Sequence, residues 1–297
     1  MTRRVVTCSA QASLIDVQGL IADQDLTRIV VADSNGKPVG IISQKDVMKF
    51  ALTDKTKRRF EDLHAHEVMS RGLTTIEPDA QMAQAAEAMI RQKRSSLLVH
   101  NGGPEGIITK TDAVRYLHAD GGAVYSAGHF MTPNPVTVNP IQSIFSIIDL
   151  MSQREISRVI VVDDDDRTRG IITLSDFSKR LAFSLFNLTR MLLVEKDLEP
   201  DSYLERAAAI GLKAKHFMTQ RPITLSHDSN LADASRLMLK HDISGLPVTD
   251  NSENLVGIVS KTDITRAVAY ERNPAHAILN NPYPKLKRML SRSMSKP

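Results

Sequence analysis

At 297 residues, with 42% hydrophobic and 24% charged side chains, the chain has the make-up of a folded protein of about two domains and not of a disordered one. It has no Trp, 4% aromatics and one cysteine, Cys8, which argues against an aromatic platform for single-stranded nucleic acid and excludes an intrachain disulfide or a cysteine-based zinc cluster. The net charge of +4 is exceeded by the five Lys and Arg from Tyr283 onward, so the remainder is near neutral and makes a poor polyanion-binding surface.

The first residues, MTRRVVTCSAQ, hold too short an apolar run for a signal peptide, and no run reaches the roughly 18 residues of a membrane span. A cytoplasmic protein is expected. Further along, GIISQKD from Gly40 returns as GIITKTD from Gly106, GIITLSD from Gly170 and GIVSKTD from Gly257. Each version places an aspartate three positions after a hydroxyl residue: Asp46 after Ser43, Asp112 after Thr109, Asp176 after Thr173 and Asp263 after Ser260. Upstream of these anchors stand Thr7, Thr137 and Thr224, each 39 positions earlier, and Thr75, 37 positions earlier. The two residues missing from the second unit fall in its loop NGGPE, so the register survives on both sides.

Each unit predicts a strand, an amphipathic helix, two strands and a second helix, and the fold class is α+β. The third unit shows it best. A strand PVTV at Pro135 leads to a helix capped by Ser143, with Ile144, Ile147, Ile148 and Met151 at helical spacing, then the strands SRVIVVD and RGIIT, then SDFSKRLAF. Asn35 and Gly36 in DSNGKP predict a tight hairpin between the two inner strands. A unit of about 60 residues buries little surface alone and should pack in pairs.

The repeats also indicate their partners. Two positions after the start of the inner strand, the first and third have Arg28 and Arg158, where the second and fourth have Ser96 and Gly245. Two positions before the anchor the order reverses: Gln44 and Leu174 against Lys110 and Lys261. A duplicated two-repeat module explains the alternation. The expected pairs are 1–120 (repeats 1–56 and 66–120) and 121–280 (repeats 128–185 and 215–272), with a helical insert at about 181–213 and a basic tail at 281–297.

A Ser or Thr followed three residues later by an acid is the signature of a capping box, and an acid there also suits the helix dipole. All four units nevertheless keep the shorter Asp where capping boxes prefer Glu or Gln. A carboxylate can accept both hydroxyls of a ribose diol, and exposed helix N–H groups can meet phosphate. Capping and ligand binding are compatible.

The units, FMTPNPVTVNP…ISRVIVVDDDDRTRGIITLSD above all, resemble CBS motifs, the family named for cystathionine beta-synthase, over roughly residues 5 to 270. The first unit departs in lacking the MT-x-x-P lead-in, and the second in having SSLLVHN at the inner strand. The resemblance implies pseudo-two-fold pairs of motifs, called Bateman modules, with clefts for adenosine ligands. It puts ribose on Asp46, Asp112, Asp176 and Asp263, hydroxyl partners on Ser43, Thr109, Thr173 and Ser260, phosphate on Arg28 and Arg158, and the adenine near Thr7, Thr75, Thr137 and Thr224. Lys110 and Lys261 add a cation per module, which favours AMP, ADP or ATP over S-adenosylmethionine, with no cofactor required.

Other motifs carry less. NGGPEG lacks the Gly-Lys-Ser/Thr of a phosphate-cradling loop, DDDDR at Asp163 reads as a solvated turn, and His64 and His66 have no metal-ligand spacing around them. No nucleophile, base and oxyanion set is found, so a regulatory binding protein is expected and not an enzyme. Leu181, Leu185, Leu188 and Leu192 in the insert form an apolar face for its own module, a homodimer or another protein partner. The tail, with Leu286, Met289 and Leu290 among its basic residues, leaves a nucleic-acid partner open but disfavoured. A ligand-free scaffold, and a regulator binding S-adenosylmethionine or nucleic acid, stand as the alternatives to nucleotide sensing.

Overall fold

The computed structural model describes residues 1–272 except 4, 25, 45, 48–49, 51–57, 59, 102, 121–124 and 177–210. The helix after Asp176, nearly all of the insert and the whole basic tail lie outside the described residues.

Repeat 1 builds β1 (Thr7–Ser9), the helix Leu14–Asp23, β2 (Arg28–Ala32) and β3 (Pro38–Ser43). Repeat 2 follows with β4 (Ser70–Arg71), β5 (Thr75–Ile76), the helix Met82–Arg91, β6 (Ser96–His100), β7 (Pro104–Thr109) and the helix Lys110–Asp120. Repeat 3 supplies β8 (Thr132–Pro133), β9 (Thr137–Val138), the helix Ile144–Gln153, β10 (Arg158–Val162) and β11 (Thr168–Thr173). Repeat 4 closes with β12 (Thr219–Gln220), β13 (Leu225–Ser226), the helix Leu231–Lys240, β14 (Gly245–Thr249), β15 (Leu255–Ser260) and the helix Lys261–Arg272.

β1, β5, β9 and β13 run parallel to β2, β6, β10 and β14, as a helical crossover requires, and each of the latter forms a hairpin with the strand after it. The register repeats: Arg28 faces Ser43, Ser96 faces Thr109, Arg158 faces Thr173 and Gly245 faces Ser260. Hairpin turns reach the left-handed region at Gly36 (φ 76°) in repeat 1, Asp166 (58°) in repeat 3 and Glu253 (64°) in repeat 4. In the DDDDR stretch, Asp163 Oδ1 accepts the N–H groups of Asp165 and Arg167, so this carboxylate shapes the turn.

Repeat 4 differs at one point with a clear cause. Val30, Leu98 and Ile160 each donate their N–H to the carbonyl just before the leading Thr, at Val6, Thr74 and Val136. The equivalent residue in repeat 4 is Pro247, which has no N–H, so β13 starts only at Leu225 and leaves Thr224 before the strand. Ser143 also departs from expectation. It precedes its helix but makes no capping bond, and its buried hydroxyl has no partner among the described residues, while the first helical amide, Ile144 N–H, goes to the carbonyl of Leu212. Ile144, Phe145, Ile147, Ile148 and Met151 are buried on that helix.

The lead-in strands are exchanged within pairs. β4, from the start of repeat 2, completes the sheet of repeat 1, and Thr2 bridges to Ile107 beside β7 of repeat 2. Likewise β8 of repeat 3 joins β15, and β12 of repeat 4 joins β11. Each exchange seats a methionine over the glycine of the recurring motif: Met69 over Gly40, Met1 over Gly106, Met218 over Gly170 and Met131 over Gly257, where a Cβ would overlap or crowd the thioether. Repeat 1 therefore has a lead-in after all. Met1 stands six residues before Thr7 as Met131 does before Thr137, and only the proline is missing.

Four packed seams close the repeats into a ring. Val30 of repeat 1 and Leu98 and Ile107 of repeat 2 pack sheet against sheet, as do Ile160, Val162 and Ile171 of repeat 3 with Ile258 of repeat 4. The two modules meet through their helices. Leu14, Val17 and Ile21 share a core with Ile144, Ile147 and Ile148, while Val114 and Leu117 share one with Leu231, Ile264 and Val268. Burying such side chains is worth about 1.5–3 kcal/mol each.

Candidate functional site

Each recurring Ser/Thr and Asp forms a helix start. Asp46 Oδ2 accepts the Ser43 N–H at 2.8 Å and its hydroxyl at 2.5 Å, and Asp112 Oδ2 accepts both groups of Thr109 at 2.8 Å. Asp176 does the same with Thr173, both at 2.7 Å, and Asp263 with Ser260 at 2.8 and 2.6 Å. The second oxygen points elsewhere. Asp46 Oδ1 accepts the Ser70 hydroxyl at 3.2 Å, Asp112 Oδ1 faces Arg115 at 3.2 Å and the amino group of Met1 at 3.3 Å, and Asp263 Oδ1 takes Arg266 at 2.9 Å. Burial raises the Asp112 carboxyl, but the Thr109 hydroxyl and N–H and the amino group of Met1 outweigh it and hold the group below the usual range.

The cations do not divide into two clefts. Arg28, Lys110, Arg158 and Lys261, one from each repeat, line a single cavity of about 280 Å³ where the two modules meet, together with Ser and Thr side chains. No carboxylate is among its described lining residues. Each module supplies one Arg and one Lys, as expected, but the helix-to-helix seams bring the inner ends of all four hairpins together, so the two pairs face one cavity and not two clefts.

Serine carbonyls fix the cations. The Ser95 carbonyl accepts Arg28 Nη1 at 3.1 Å and the backbone N–H of Lys110 at 3.2 Å, so one oxygen ties the arginine of repeat 1 to the lysine of repeat 2. In the other module, the Ser244 carbonyl accepts Arg158 Nη1 at 2.5 Å and the Lys261 N–H at 3.2 Å, and its hydroxyl accepts Nη2 at 3.3 Å. Arginine on an odd repeat thus needs a small residue opposite. A Cβ at Gly245 would collide with the Arg158 guanidinium, so the glycine of repeat 4 makes room for the arginine of repeat 3. The lysines cross between modules: Lys110 Nζ donates to Thr262 Oγ1 at 3.0 Å and Lys261 Nζ to Thr111 Oγ1 at 3.1 Å.

Burial holds both guanidinium groups below the usual arginine range, opposed for Arg28 by Asp46 and Asp112 and for Arg158 by Asp263. The Lys261 ammonium is also lowered, by burial first; Asp242 opposes this, while Arg115, Arg158 and Arg28 add to it. Crowded, partly desolvated cations with no carboxylate among their described lining residues concentrate positive charge in the cavity.

Of the other residues singled out in the sequence, Ser43 and Thr173 line the cavity, whereas Thr109 and Ser260 sit one residue before the lining lysines. The four aspartates are not among its lining residues. Thr7, Thr75, Thr137 and Thr224 are exposed on the outer strands or beside them and do not line the cavity. His64 and His66 stack at 5.8 Å and hold the Gln11 and Ala10 carbonyls through Nδ1. Sequence reasoning overlooked Ser95, Ser244, Thr111 and Thr262. The Lys-Thr-Asp of the even repeats, against Gln-Lys-Asp and Leu-Ser-Asp in the odd ones, was the signal for the two threonines.

The model of the CBS domain matches residues 1–53, 65–119, 127–182 and 214–270. Among sequence relatives, the protein MJ1404 of Methanocaldococcus jannaschii is 26% identical over 274 residues, which cover 91% of this chain and 61% of that protein. The CBS domain-containing protein CBSX2 of Arabidopsis thaliana is 26% identical over 155 residues, 48% of this chain and 63% of that one. The chain thus spans about six tenths of the length of each. CBSX2 has been solved in complex with AMP, at a TM-score of 0.38 to this chain, 25% identity, and coverage of 50% of this chain and 99% of that one. The crystal structure of MJ1225 from Methanocaldococcus jannaschii has a TM-score of 0.71, 20% identity, and coverage of 90% of this chain and 96% of that one, and it shows the same fold.

Proposed function

The chain belongs to the CBS domain family, and on that footing we propose that it is a regulatory sensor of phosphorylated adenosine ligands: AMP, ADP or ATP. The observation that carries the proposal is the convergence of Arg28, Lys110, Arg158 and Lys261 on one cavity without a lining carboxylate among the described residues. At about 280 Å³ the cavity lies just below the roughly 300–1,000 Å³ that encloses a drug-sized molecule, so it suits the phosphates of a ligand whose nucleoside lies farther out. In this reading the outer oxygens of Asp46, Asp112, Asp176 and Asp263 take ribose hydroxyls, with Arg115 and Arg266 released from Asp112 and Asp263 to make room. The base lies toward Thr7, Thr75, Thr137 or Thr224.

S-adenosylmethionine fits this cavity poorly, since its sulfonium and ammonium charges would add to four cations. Lining groups that are cations, hydroxyls, one amide and one leucine bind and neutralise but supply no carboxylate or imidazole for proton transfer, which favours sensing over catalysis. Occupancy reaches a protein partner through the module seam. Phosphate oxygens compete with Thr111 and Thr262 for the lysines, so a ligand shifts the relative position of the modules by as much as its affinity differs between the two arrangements. A homodimer through the leucine face of the insert remains part of this proposal.

Calorimetry on the full chain with AMP, ADP, ATP, adenosine and S-adenosylmethionine tests the reading. The three nucleotides bind and the other two bind at least about tenfold more weakly. Tight S-adenosylmethionine binding with none for AMP or ATP overturns it.

A further inference from the structure

The cavity is a shared resource, and its size and charge limit what it holds. Arg28 and Lys110 come from one module, Arg158 and Lys261 from the other, and the crossed bonds of the lysines to Thr262 and Thr111 leave no wall between them. A monophosphate has five heavy atoms in its phosphate group, counting the ester oxygen, and a triphosphate chain has 13, so two monophosphates and one triphosphate make a similar demand on the one cavity of about 280 Å³, and two triphosphates make twice that demand. Charge gives the same answer independently. A phosphate monoester carries about −1.5 to −2 at pH 7 and each further phosphate adds about one, so two monophosphates or one triphosphate bring about four negative charges to four cations. Two triphosphates would bring about eight and leave half of them unpaired and mutually repelling.

We propose that phosphate number sets the stoichiometry: the chain binds two nucleoside monophosphates, one from each module, but a single nucleoside triphosphate, whose chain fills the shared cavity and excludes a ligand from the other module. The inference rests on the nucleotide reading above and goes beyond it by coupling the two modules through one anion site. An AMP-filled and an ATP-filled protein then differ in symmetry as well as in ligand. Monophosphates leave the modules equivalently loaded, and a triphosphate leaves one nucleoside cleft vacant.

Isothermal titration of the full chain in EDTA, with AMP and ATP separately, tests it. The expected result is two AMP per chain and one ATP. ATP should displace both AMP molecules, and AMP should not bind an ATP-saturated chain. The double variant Lys110→Gln/Lys261→Gln removes two of the cations, and its second AMP should weaken by at least about tenfold relative to the first. An ATP count equal to the AMP count overturns the inference and leaves the nucleotide reading standing, as does a double variant whose two AMP sites stay equal. Absence of binding by both nucleotides overturns the reading itself, and the inference with it.

Discussion

The odd and even repeats have the same fold and contribute different halves of the cavity. Repeats 1 and 3 send arginines across the sheet-to-sheet seam to the serine carbonyls of repeats 2 and 4, and the even repeats send lysines across the helix-to-helix seam to each other. The arginines therefore report on how a module is assembled, and the lysines on how the two modules meet. Duplication of a two-repeat module carries the alternation into both halves of the chain, and the ring then sets the odd and the even repeats on defined sides of one cavity.

The two modules are not equally tight, and the largest expected effect exploits that. Gly245→Val would force the buried Arg158 from the Ser244 carbonyl, costing about 3 kcal/mol as a buried charge loses its partners. Ser96→Val, at a position that already carries a Cβ, should cost about 1 kcal/mol. Urea unfolding measures both, and equal costs would erase the distinction between the modules. Next comes the exchanged lead-in. Gly257→Val meets the Met131 thioether and should cost about 2 kcal/mol by overpacking, where valine at the open Gly103 costs under about 0.5 kcal/mol.

The lysines should act on ligand more than on fold. Lys110→Ala and Lys261→Ala are each expected to weaken AMP and ATP by about tenfold or more while leaving the melting temperature of the free protein within a few degrees. A large loss of stability without loss of affinity would make them seam residues only. The smallest effect is acid-dependent. The carboxyl of Asp112 is depressed below its usual value in the folded chain, so its contribution is fully present above about pH 4 and is lost as pH falls through the folded value. Asp112→Asn should flatten the fall in urea midpoint between pH 6 and pH 3, and an unchanged slope would remove that role.

Much of this architecture was legible in the residues. The four repeats, their pairing and the hairpins followed from local spacing and from the alternation of Arg28 and Arg158 with Ser96 and Gly245. The lead-in of repeat 1 was legible too, as Met1 six residues before Thr7, but the missing proline hid it. Ser143 looked like a cap from its place before the helix, and the sequence does not show that its hydroxyl is buried and makes no capping bond. What could not be read was the ring. Which helix faces meet depends on contacts between residues more than a hundred positions apart, such as Lys110 with Thr262, and no periodicity encodes them. The two arginine–lysine pairs were therefore expected in separate clefts, and the shared cavity came only with the fold.

The most direct test of the central claim is a crystal structure of the chain with AMP. The account predicts phosphate oxygens within hydrogen-bond reach of Arg28 or Arg158 and of Lys110 or Lys261, with the ribose hydroxyls on an anchor aspartate. AMP bound with its phosphate outside the cavity, and the lysines still on Thr111 and Thr262, would contradict it.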